Sequence, residues 1–116
     1  MKLYGIKNCD TVKKARAWLA DRGLSVPFHD FKSEGVTPAL LERWEKAVGW
    51  ETLVNRKGTT WRALTDDVKN GVVDAGAAQR LMVEKPSLIK RPVLEVDGQI
   101  YVGFAPEIYK ELFKDL

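Results

Sequence analysis

Residues 2–31 read KLYGIKNCDTVKKARAWLADRGLSVPFHDF. Lys2 to Ile6 has the character of a short strand. From Asp10 to Arg22 the apolar residues Val12, Ala15, Trp18 and Leu19 recur at helical spacing, and Gly23 is placed to stop that helix. Val26 to Phe31 reads as a second strand. Two strands joined by a helix of this length run parallel through a right-handed crossover, so the segment is a βαβ unit.

Beyond it, Thr37-Pro38 is a cap followed by proline in the first helical position. Leu40, Leu41, Trp44, Ala47 and Val48 then form an apolar stripe that ends at Gly49. From Trp50 to Lys85 the pattern is helical but broken, with expected caps at Thr60 and Asp74 and interruptions at Gly58 and Gly71. After Pro86 the texture changes: Pro92 to Val96 and Gln99 to Val102 read as strands around Asp97-Gly98, a dipeptide that favours a tight hairpin. Glu107 to Leu116 reads as a final helix. The order is βαβ, a helical insertion at about 36–85, then ββα. It predicts an α/β fold of the thioredoxin-like plan, a four-stranded mixed sheet within one domain spanning 1–116.

An apolar share of 45% with four Trp, four Phe and three Tyr suits a soluble globular chain able to build a core without staples. The 19 Lys and Arg against 16 Asp and Glu leave a net charge of +3, dispersed along the chain and too mild to argue for nucleic acid. No apolar run approaches the roughly 18 residues of a membrane span, and no signal-peptide layout precedes the first strand. A cytoplasmic monomer with no membrane or nucleic-acid partner is expected. The single cysteine excludes an intramolecular disulfide and a zinc site built on paired thiols, and no metal is expected.

That cysteine, Cys9, stands where the first strand hands over to the first helix. A thiol reacts as its thiolate, and the first helical turn offers unpaired N–H groups and the positive end of the helix dipole. Lys7 adds positive charge nearby, while Asp10 opposes ionisation. A free cysteine is otherwise often a small buried hydrophobe. Position 12, where a dithiol C-x-x-C site carries its second cysteine, is Val12. Any redox chemistry is therefore monothiol and needs a sulfur from another molecule, for which glutathione is the obvious candidate in a cytoplasm.

Tyr4-Gly5-Ile6-Lys7-Asn8-Cys9, Val54-Asn55-Arg56-Lys57, Ile89-Lys90-Arg91-Pro92 and the closing Val102-Gly103-Phe104 occur together in this order. With them the chain resembles the ArsC-like superfamily of glutaredoxin-coupled arsenate reductases, specifically its YffB-like branch. The resemblance implies a glutathione-dependent thiol reductase, with glutathione, a glutaredoxin and a small thiol or disulfide as partners and no tightly bound cofactor. It implies Cys9 as nucleophile and Arg56 and Arg91 as the arginines that hold an oxyanion and steady the thiolate. Pro92 matches a cis-proline, and Lys7, Asn8, Arg56, Arg91 and Pro92 form the implied substrate or glutathione site. The third oxyanion arginine of the arsenate reductases falls at Phe104, which argues against arsenate as the natural substrate.

The same superfamily includes Spx-like proteins that bind RNA polymerase without catalysis, typically through a C-x-x-C switch that Val12 removes. That adaptor role is the alternative reading. His29, the lone histidine, is read as an ordinary strand residue facing away from Phe28. Trp44, Trp50 and Trp61 are read as core, and Lys57, Arg62 and Lys90 as solvated charges.

Overall fold

The computed structural model describes residues 1–114. The chain divides into two compact units, Met1–Asp30 together with the segment from Arg91 onward, and Phe31–Lys90.

The first unit holds the sheet. Its elements are β1 (Lys2–Gly5), α1 (Asp10–Asp21), β2 (Phe28–Asp30), β3 (Val93–Val96), β4 (Gln99–Val102) and a final helix, Pro106–Leu112. The strand order is β2-β1-β3-β4. β1 runs parallel to β2, with Leu3 opposite Phe28, and antiparallel to β3, with Tyr4 opposite Val93; β3 and β4 form the hairpin. This is the mixed sheet expected of a thioredoxin-like fold. Asp97 and Gly98 both take positive φ, 48° and 81°, as a two-residue hairpin turn of matching twist requires.

Strand alternation sorts the side chains. Leu3, Leu94 and Val96 point to one face, where α1 contributes Ala15, Trp18 and Leu19 and the final helix contributes Tyr109 and Phe113. Burial of each of the leucines and of Val96 in this cluster contributes about 1.5–3 kcal/mol. β2 is shorter than expected. Pro27 has no N–H for the ladder, although its carbonyl accepts from Leu3 N at 2.9 Å, and Phe31 leaves the strand to start a helix. The final helix begins at Pro106 and ends at Leu112; the last two positions expected in it, 115 and 116, lie outside the described residues.

The second unit is helical: α2 (Phe31–Glu34), α3 (Pro38–Val48), α4 (Trp50–Leu53), α5 (Thr59–Arg62), α6 (Asp66–Asn70), α7 (Ala75–Glu84) and a 3-10 turn, Pro86–Leu88. The helical stretch thus starts before position 36 and ends after 85. Thr37 and Asp74 cap their helices by accepting from the N–H groups of Leu40 and Ala77. Thr60 is not a cap, contrary to expectation. Gly58 precedes α5 and Thr60 lies inside it, because the preceding turn closes early: Asn55 Oδ1 accepts from Lys57 N–H at 3.2 Å. Leu41, Trp44, Leu53, Ala78, Met82, Leu88 and Ile89 are buried, and the rings of Phe31 and Trp44 lie 6.1 Å apart.

Candidate functional site

Antiparallel pairing of β1 with β3 brings distant parts of the chain together. Chain leaving the carboxyl end of β1 meets chain arriving at the amino end of β3. The first carries Lys7, Asn8 and Cys9; the second carries Arg91 and Pro92. Gly5 permits the close approach of α1: a Cβ at this position would stand 2.8 Å from Val12 Cγ2. Val12 is fully buried, so the first turn of α1 is seated against the strand end, and Cys9 with it.

Cys9 is the N-cap of α1, in extended conformation at φ −135° and ψ 125°. Its carbonyl accepts from Lys13 N at 2.9 Å and closes the first turn, and its side chain is half-buried. Partial burial acts to raise the thiol pKa, but it is outweighed. The Val12 N–H, the Arg91 guanidinium as both hydrogen-bond donor and positive charge, and the Thr11 N–H together hold the pKa below the ordinary thiol value. The thiol makes no side-chain capping bond; ionisation is what the first-turn N–H groups favour. Lys7 and Asn8 form an exposed turn directly before it.

Arg91 is half-buried and Pro92 buried, and the peptide bond between them is cis. Pro92 O accepts from Gly103 N at 2.8 Å, which ties this corner to the end of β4. Phe104, two residues past β4, is half-buried and meets Tyr109 edge to face at 4.8 Å. Where an anion-binding arginine was the alternative, the chain has an aromatic packing residue.

Arg56 belongs to the second unit, on the exposed loop between α4 and α5. The backbone of that loop is well tied. Val54 bridges Ile89, Asn55 N donates to Leu88 O at 2.8 Å, and Arg62 Nη2 donates to Lys57 O at 2.7 Å. The Arg56 guanidinium carbon stands 5.7 Å from the ring centre of Trp50 and 5.6 Å from that of Trp61, over both faces. Trp44 is core, as expected, but Trp50 and Trp61 are only half-buried and serve a different contact. Helical spacing concealed it, since a tryptophan at such spacing normally reads as packing. Lys57 and Lys90 are exposed, and Arg62 acts as a brace for the loop.

His29 sits in β2 with its ring 5.1 Å from that of Tyr4, on the sheet face opposite Phe28. Among the described residues no three His, Cys, Asp or Glu side chains gather to hold a metal, and no helix is long and apolar enough to cross a membrane.

The chain matches the ArsC family over residues 4–112. It is similar to the solved structure of the YffB protein, at 47% identity over 95% of this chain and 96% of that one with a TM-score of 0.90. It is also similar to an arsenate reductase (ArsC) related protein from Brucella melitensis, at 52% identity over 100% and 97% of the two chains with a TM-score of 0.76. The global transcriptional regulator Spx 1 of Lactococcus lactis is 26% identical over 106 residues, 88% of this chain and 80% of the regulator.

Proposed function

The chain belongs to the ArsC family, and from that premise we propose that it is a glutathione-dependent thiol reductase with Cys9 as its one nucleophile. The observation that carries this reading is the Cys9 thiol at the N-cap of α1, its pKa lowered chiefly by the Val12 N–H and the Arg91 guanidinium against the opposing effect of burial.

The reaction balances with two thiols. The Cys9 thiolate attacks the glutathionyl sulfur of a mixed disulfide, RS–SG. The S–S bond breaks, RS⁻ leaves and takes a proton from solvent, and a Cys9–SG disulfide forms. A glutathione thiolate then attacks the glutathionyl sulfur, releasing oxidised glutathione and regenerating the Cys9 thiolate. The substrate thiol is reduced by two electrons and two glutathione sulfurs are joined.

Arg91 steadies the thiolate and Arg56 holds negative charge, as planar guanidinium forks do for carboxylates and oxyanions. The Arg91-Pro92 corner and the exposed turn of Lys7 and Asn8 are the proposed docking points for a peptide-like thiol. A glutaredoxin is an alternative to free glutathione in the second step. Such chemistry suits the cytoplasm, where thiols are kept reduced. Phe104, engaged with Tyr109, argues against arsenate as the substrate.

The test is a glutathione-coupled turnover assay over glutathionylated thiols, small disulfides and arsenate, comparing wild type with Cys9→Ser. Turnover of at least one glutathionylated thiol, lost in Cys9→Ser, is expected. Equal rates in the two proteins would sink the reading. Likeness to the Spx regulator favours a second reading, a polymerase-binding adaptor. Retention of RNA polymerase from cell extract by both wild type and Cys9→Ser, with no turnover, would establish that reading instead.

A further inference from the structure

Arg56 is an exposed arginine on a loop tied down on both sides. Its flanking backbone is anchored by the Val54–Ile89 bridge, the Asn55 N–H bond to Leu88 and the Arg62 brace on Lys57. Among the described residues its guanidinium makes no ion pair and no hydrogen bond; its contacts are the ring faces of Trp50 and Trp61. A ring face attracts the guanidinium through its quadrupole, within the roughly 6 Å over which such contacts act. Contacts of that kind occupy the π surface of the cation and leave its N–H edge, the part that meets a carboxylate in a two-pronged fork, available. The surroundings match: between Thr52 and Thr65 the chain carries Arg56, Lys57 and Arg62 and no Asp or Glu. A flexible arginine loses much rotamer freedom on binding an anion, and two aromatic walls reduce that loss beforehand.

We propose that Trp50 and Trp61 are positioning residues that hold Arg56 as a preformed carboxylate fork, the recognition point for the carboxylates of a glutathione-like ligand. The ligand class rests on the reductase reading; the Trp50, Arg56 and Trp61 arrangement does not.

The test titrates the whole protein with S-methylglutathione, which cannot react with Cys9, and with its diethyl ester, which lacks the carboxylates, following ¹⁵N-labelled side chains by NMR. Saturable shifts of the Trp50 and Trp61 indole N–H and the Arg56 Nε–H are expected with the acid and not with the ester. The indole of buried Trp44 serves as the reference for an intact fold. Trp50→Leu and Trp61→Leu should each weaken binding about fivefold, the worth of one exposed cation–π contact, whereas Trp61→Phe, which keeps a ring, should stay within about twofold. In Arg56→Gln the carboxylate-dependent shifts should vanish, and adding Trp61→Leu should weaken binding no further.

Unmoved indole signals, equal binding of the ester, or leucine variants that bind as wild type does would overturn the proposal. Turnover through Cys9 alongside any of those results overturns it alone. Carboxylate-dependent shifts without turnover support the fork and overturn the reductase reading.

Discussion

At Cys9 the opposing effects are both visible: burial disfavours the thiolate, while two backbone N–H groups and the Arg91 guanidinium favour it and prevail. Arg91 is the removable part of that balance. Arg91→Gln keeps a donor but loses the charge, so its Cys9 should titrate higher than wild type and react severalfold more slowly with iodoacetamide at pH 7. An alkylation rate unchanged across pH would remove Arg91 from the thiol's environment. Phe104 invites the reverse experiment, since arginine there restores the residue type of the arsenate reductases. Its ring meets Tyr109 at 4.8 Å, and an edge-to-face pair is worth about 0.5–1.5 kcal/mol beyond area burial. Phe104→Arg should therefore lower the unfolding free energy by about 2 kcal/mol in urea titration, by loss of that pair and partial burial of a charge. It should confer no arsenate turnover.

At the scale of elements, the seat of α1 on β1 decides where the nucleophile stands. A methyl group at Gly5 would sit 2.8 Å from Val12 Cγ2, and such overpacking costs about 1–3 kcal/mol. Gly5→Ala should lose that much stability in urea and also slow Cys9 alkylation, because the displaced turn carries Cys9 as its cap. Val12→Ala in the same background should recover part of both losses; a variant that loses stability with alkylation unaffected would uncouple the seat from the site. The helix and hairpin signals were legible in the chain where they are local: Thr37 and Asp74 as caps, Asp97-Gly98 as the turn. Thr60 misled because Asn55 closes the preceding loop with a side-chain bond that no periodicity reveals. The meeting of Cys9 with Arg91 depends on β1 pairing with β3, a long-range event that only the combination of motifs anticipated. The role of Trp50 and Trp61 was hidden for another reason. Their spacing is that of core residues, and only the folded loop brings the guanidinium over both rings.

For the whole molecule, a thiolate favoured by folding links stability to pH. The native Cys9 pKa lies below that of the same thiol in an unfolded chain. Between those two values the unfolded state holds the proton and the native state does not, so stability rises with pH across that window. Above the unfolded value the contribution is complete and constant; as pH falls through the native value it disappears. Two tyrosines act in the opposite sense at higher pH. Burial pushes Tyr109 and Tyr101 above the usual phenol range, with neighbouring Tyr101 and Glu107 adding to the respective effects. An unfolded chain would therefore ionise them first, and stability falls above about pH 10. Measurements that stop at pH 9 isolate the thiol. The difference in unfolding free energy between wild type and Cys9→Ser, followed by urea titration from pH 5 to 9, should be flat on the acid side and then grow in favour of wild type toward pH 9. A difference that stays flat throughout means that folding does not favour the thiolate, and the proposed chemistry would lose its driving feature. A difference that shrinks with pH means that burial outweighs the Val12 N–H and Arg91, the opposite of the balance that the N-cap position provides.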